Sequence, residues 1–298
     1  MPGTVVVTGG LGRSGRWIAG HLADEGWRVV CVDRSHPGWE VDARENLDFR
    51  AADLTNRGEA LDLLADLDPD AVVHWAALPS PTRHAGGRVF ETNVLAAYNV
   101  LVGAGRAGAR IAWASSESAY GFAFAEEKRL PAYLPIREAH SLRPEDPYGT
   151  SKVVGEEVGN MVARRYGVPV ASVRPSWIQY PGEYACVDAR EDLAAGAGNF
   201  WSYVDVRDVA GIVLAALEAD FSGHEPFHAA AADNYLERPI EDALREFFGE
   251  VPDDSNVSGD DAALSVAKAR EVLDWEPEHS WREAADEDVA GPELVRSE

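Results

Sequence analysis

The stretch Tyr148-Gly-Thr-Ser-Lys152 sets a phenol and an ammonium four residues apart. At the start of a helix, residues at that spacing share one face, so both groups point the same way. A phenol with a pKa near 10 is a poor base at neutral pH, and a neighbouring ammonium favours its phenolate. Tyr148 is thus a candidate general acid/base for interconverting an alcohol and a ketone, with Lys152 as its partner. Upstream, Ser115-Ser116-Glu117-Ser118-Ala119-Tyr120-Gly121 supplies a hydroxyl, that of Ser116, able to hydrogen-bond the same substrate oxygen. The plainer reading makes Tyr148 a packed aromatic and Lys152 a solvated surface cation. Against it stands the lysine count: of 27 basic residues only Lys128, Lys152 and Lys268 are lysines. A compact ammonium with rotatable donors is not replaceable by a planar guanidinium.

A second cluster opens the chain. Val5-Val-Val-Thr-Gly9-Gly-Leu-Gly12-Arg13-Ser14-Gly15 is a β-branched run followed by a glycine turn, and a helical pattern follows from Arg16 to Glu25. In that order Gly9 turns the chain, Gly12 admits a pyrophosphate close to the backbone, and Gly15 lets helix and strand pack. Free amides and the helix dipole then face the anion. The next apolar run ends at Asp33, roughly 20 residues beyond the loop, where a dinucleotide site places its ribose carboxylate. Asp33 favours NAD over NADP, and Arg34 softens that preference.

Around these clusters strands and helices alternate. Strands end at Asp33, Ala52, Trp75 and Ala114, so Asp33, Asp53, Ala76 and Ser116 are expected along one sheet edge. Long helices are read over Val89–Arg106 and Tyr148–Tyr166, with a strand at Pro169–Val173. The stretches 121–147 and 174–200 are irregular and rich in proline, glycine and aromatics. The fold is read as a Rossmann-type α/β doubly wound parallel sheet. Residues 1–173 form the NAD-binding domain, 174–290 are mainly a smaller substrate lobe whose elements interleave with it, and 291–298 are a tail.

Composition sets further bounds. With 51 acidic against 27 basic residues the net charge is −24, a surface that repels nucleic acid and anionic membranes. No stretch is long and apolar enough to span a bilayer, and the first strand leaves no room for a secretory signal. Two cysteines far apart in sequence fit a reducing cytoplasm, and no metal site is read. Acid spread along a folded chain implies a halophilic protein, because salt screens the self-repulsion.

Together these motifs resemble the extended short-chain dehydrogenase/reductases of the NAD-dependent epimerase/dehydratase family. The resemblance is carried by Thr8–Gly15, Asp53-Leu54, Ala76-Ala77, Asn93-Val94, the Ser-Ser…Tyr-Gly stretch, Tyr148…Lys152 and Lys268–Pro277. It implies Ser116, Tyr148 and Lys152 as the catalytic set. Around NAD it implies the glycine loop with Arg13 and Ser14, then Asp33, Arg34, Asp53, Leu54, Ala76, Ala77 and Asn93. It also implies a homodimer built on the two long helices.

Three positions depart from the family pattern. Dehydratases carry an acid two places after the catalytic Ser/Thr, and here that place is Ser118, with Glu117 beside it. Where nucleotide-sugar epimerases often show an arginine and an asparagine, this chain has Trp201 and Trp177. The two indoles are either walls of a small apolar-faced sugar pocket or core aromatics. Glu117, Trp177, Arg190 and Trp201 are the candidates for contact with the sugar. The lead function is NAD-dependent oxidation of a hydroxyl on a sugar or sugar derivative. Sugar-nucleotide epimerisation with retained NAD is the alternative, and a non-catalytic NAD-sensing regulator, which typically lacks the Tyr/Lys pair, is a third reading.

Overall fold

The computed structural model describes residues 2–38 and 43–295. Seven parallel strands form the main sheet in the order β3-β2-β1-β4-β5-β6-β9. The chain enters at β1 (Thr4–Thr8) and α1 (Gly15–Asp24), then β2 (Arg28–Asp33), β3 (Leu47–Ala51) and α2 (Arg57–Leu67). Next come β4 (Ala71–His74), α3 (Gly86–Ala107), β5 (Arg110–Ala114), α4 (Pro147–Tyr166) and β6 (Val170–Pro175). The rest comprises β7 (Trp177–Gln179), α5 (Ala185–Asp188), α6 (Leu193–Gly196), β8 (Tyr203–Asp205), α7 (Val206–Glu218), β9 (His224–Ala229), α8 (Ile240–Phe248), α9 (Ala267–Leu273) and α10 (Trp281–Ala284).

The central strands are continuous apolar runs because helices cover both faces. Val5 and Val7 enter one core, with α1, α7 and α9, while Val6 enters the other, with α2, α3 and α4. That alternation along one strand is the pleat at work. Every catalytic or cofactor candidate on a strand end falls at the carboxyl edge, past β1, β2, β3, β4 and β5.

A third core joins the segment around Tyr120–Ile136 to Tyr184, Trp201, Tyr203, Tyr235 and α8. It forms the smaller lobe. Elements on either side of residue 173 interleave: α7 and β9 belong to the dinucleotide half, and residues 120–136 pack in the lobe. Leu294 is buried, Pro292 lies over Gly20, and Arg44 N donates to Leu294 O, so an apolar plug holds residues 292–295 against α1. No helix among the described residues is long and apolar enough to cross a membrane.

Candidate active site

The glycine turn has the shape an anion needs. Gly9 sits at φ +69°, and a Cβ there would stand 2.8 Å from Ala76 backbone atoms. A Cβ on Gly15 would meet Gly9 O at 2.0 Å, so α1 starts as close to β1 as backbones allow. Gly12 N donates to Gly9 O and Arg16 N to Gly12 O. Among the described residues nothing accepts from the amides of Arg13 and Ser14, at the positive end of α1. The residues present therefore fit a dinucleotide's pyrophosphate. The Arg13 side chain does not point there: its guanidinium stacks 3.8 Å from the Tyr180 ring centre and pairs with Glu183. Ser14 Oγ is bonded by Trp75 Nε1 at 3.0 Å. Both residues offer the loop their backbone rather than their side chains.

Asp33 ends β2 with Oδ1 accepting from Arg34 N, leaving Oδ2 for a ribose hydroxyl. Asp53 is held below the usual carboxylate range by the hydroxyl and amide of Thr55, with a further pull from Arg34. The Leu54 side chain is buried in the core, and its carbonyl accepts from Asn99 Nδ2, so only its main chain borders the cleft. Ala76 and Ala77 follow β4 as a partly exposed wall, pinned by Trp75 and Ala76 amides donating to Thr8 Oγ1. Asn93 acts as a clasp. Its Oδ1 accepts from Leu78 N at 2.8 Å and its Nδ2 reaches Leu78 O and Ser151 Oγ, joining this wall to α4.

The catalytic candidates meet where β5 and α4 converge. Asp146 caps α4, its Oδ1 accepting from Tyr148 N and Gly149 N at 2.9 and 2.8 Å, and Pro147 fills the first turn. Tyr148 and Lys152 do share a face, with Nζ 5.3 Å from the phenol ring centre and bonded to Ala114 O at 2.7 Å. Ser116, whose Oγ accepts from Ser118 N, lies beside the Tyr148 phenol. Electrostatics here run against the simple expectation from sequence. Burial pushes the Tyr148 phenol up to about 12, and Ser116 opposes it only in part. Burial likewise draws the Lys152 ammonium down to about 7, against the pull of Glu156. An enclosed cleft disfavours both charges more than either partner stabilises the other.

Sequence reasoning missed the scaffold behind these groups. Glu156, one turn beyond Lys152, is gripped by Arg174 through Nε at 2.8 Å and Nη2 at 2.6 Å, and by Ser115 Oγ at 2.6 Å. Arg174 also donates to Tyr120 Oη and Glu138 O, tying α4 and β6 to the lobe. The spacing Lys152–Glu156 was visible; its distant partner was not. The lysine economy also gains a wider meaning. Lys128 donates to the carbonyls of Phe122, Ala123 and Ala125, and Lys268 to that of Pro226, as Lys152 does to Ala114. Each lysine is kept where a compact ammonium meets main-chain oxygen.

The four sugar candidates are not brought together. Glu117 lies beside Ser116 and accepts from Ser176 Oγ at 2.9 Å. Trp177, half-buried on β7, edges the Tyr235 ring and faces the same lobe. Trp201 is fully buried, its Nε1 donating to Leu193 O, so it is a core aromatic and not a pocket wall. Arg190 pairs with Glu237 and stacks 4.2 Å from the Trp281 ring centre, which commits it away from Glu117. Burial in a lobe with its own core explains both corrections.

Comparison with known proteins gives a consistent match. The profile described as the NAD dependent epimerase/dehydratase family matches residues 5–230. A UDP-glucose 4-epimerase of Streptococcus mutans is 26% identical over 92% of each chain. An L-arabinose 1-dehydrogenase (NAD(P)(+)) of Haloferax volcanii is 31% identical over 66% of this chain and 76% of its own. The crystal structure of a UDP-glucose 4-epimerase from Thermotoga maritima superposes with a TM-score of 0.70 at 23% identity, covering 95% of this chain and 96% of that one, which shows a shared fold.

Proposed function

Because the chain belongs to the NAD-dependent epimerase/dehydratase family, we propose that it oxidises a hydroxyl of a sugar or sugar derivative that carries no nucleotide. NAD, when bound, supplies the hydride acceptor. Tyr148 Oη takes the proton of the substrate hydroxyl, and Ser116 Oγ holds the same oxygen in place. Lys152, anchored on Ala114 O, favours the phenolate as the proton moves and reaches the ribose. Asp33 Oδ2 binds the adenosine ribose, so NAD is preferred to NADP.

One observation carries the choice of an unactivated sugar. Every described arginine and lysine beyond residue 173 is already paired with a carboxylate, so none there is free to meet a substrate's diphosphate. Arg190 is held by Glu237, Arg207 by Asp205 and Glu287, and Arg238 by Glu246. The second reading, epimerisation of a nucleotide sugar, is favoured by the Streptococcus mutans relative. A purely sensing role is disfavoured by the Tyr148–Lys152 pair.

A salt-rich cytoplasm and a homodimer complete the reading. The charge of −24 supports the first, and Phe90, Leu95 and Tyr98, exposed on α3, support an interface along the long helices. The test is a screen of purified protein with NAD in molar KCl, over free sugars, sugar acids and nucleotide sugars. Net NADH from a free sugar is expected. Interconversion of nucleotide sugars with no net NADH would replace this reading by the epimerase.

A further inference from the structure

On the substrate side of Ser116 the chain leaves β5 in a single turn, Glu117–Tyr120, capped by Ser116 Oγ accepting from Ser118 N. That turn swings the Glu117 carboxyl to the end of β6, where Ser176 Oγ donates to Oε2. Oε1 takes no bond from any described residue, and Glu117 is only partly buried beside Ser116. The titratable groups facing Glu117 are two phenols, Tyr148 from α4 and Tyr235 from the loop after β9. The nearby cations are engaged elsewhere: Lys152 on Ala114 O, Arg174 on Glu156, Arg190 on Glu237. A carboxyl with one hydrogen-bond donor and no cation, in an enclosed cleft, takes up a proton.

We propose that Glu117 is the specificity gate of the site: its carboxyl, set beside Ser116 and bonded by Ser176, hydrogen-bonds the substrate and admits an anionic substituent only while it carries its own proton. Naming the substrates as sugars and uronates rests on the dehydrogenase reading. Burial, opposed by Ser176, raises this carboxyl to about 8. Below that pH its O–H donates to a uronate carboxylate, a charge-assisted bond. Above it two carboxylates face each other and repel. A neutral sugar's hydroxyl donates or accepts as required, so neutral substrates pass at either pH. A permanently charged Glu117 would instead repel uronates at every working pH.

The test compares wild type with Glu117→Gln, both with NAD bound, at pH 6 and pH 9. The substrates are glucose, galactose and arabinose against glucuronate and galacturonate. In wild type the ratio of kcat/KM for neutral sugar over uronate should rise by about tenfold or more between the two pH values, and in Glu117→Gln it should stay within about twofold. The same change in both proteins would overturn the gate, since Lys152 or another group would then be titrating. Binding is read separately by thermal shift: a uronate should raise the melting temperature of wild type at pH 6 and not at pH 9, and of the variant equally at both. Failure of every free sugar to yield NADH removes the dehydrogenase reading while the binding arm still decides the gate. Uronates that bind wild type at neither pH would overturn it.

Discussion

The two sides of the Tyr148 phenol are held by different kinds of atom. Towards the cofactor, most of the partners are main chain: Lys152 rests on Ala114 O, Asp146 grips the amides of Tyr148 and Gly149, and Asn93 clasps both polar atoms of Leu78. Towards the substrate, the contacts join side chain to side chain: Glu117 to Ser176 and Trp177 to Tyr235. Backbone positions follow from the fold, so a residue type at a fixed spacing suffices to specify the first side. The second depends on partners that differ independently, and it is there that new specificities can arise without disturbing the chemistry.

The largest effect should come from breaking the main-chain side. Lys152→Arg keeps a cation but replaces a compact ammonium by a planar fork that does not fit over Ala114 O within a buried site. Turnover should fall on the order of 10²-fold or more, with weaker NAD affinity measured by fluorescence titration. Near-normal values of both would show that any cation serves there.

Next, the two tryptophans should separate. Trp201→Ala empties a fully buried site and should cost about 3–5 kcal/mol in denaturant unfolding. Trp177→Ala, on a half-buried ring beside Tyr235, should cost less and act mainly on KM for the sugar. Equal losses of stability with unchanged KM would place Trp177 in the core too.

The smallest effect is spread over the whole surface. The melting temperature should rise from low to molar KCl by a few degrees or more, because screening shortens repulsion among the 51 acids to about 3 Å at 1 M. A flat or falling curve would remove the salt-adapted reading.

The same contrast explains what the sequence disclosed. The parallel sheet, the glycine turn, Asp33 and the Tyr148–Lys152 face were legible because each is a local pattern with a period or a fixed offset. The Glu156–Arg174 lock was not, since its members sit on α4 and β6, and neither residue names its partner. Trp201 could not be assigned from sequence because a large aromatic suits a pocket wall and a core equally, and only the lobe's own packing decides. The charge state of Glu117 depends on enclosure, which no spacing records.

The most direct test of the central claim is Tyr148→Phe, assayed for NADH formation on the free sugar that wild type oxidises best, with NAD affinity measured alongside. The ring stays and only the hydroxyl that moves the proton is lost. The rate should fall by about 10²–10⁴-fold while NAD binds as before. A variant that keeps most of its activity would contradict Tyr148 as the acid/base and the chemistry built on it.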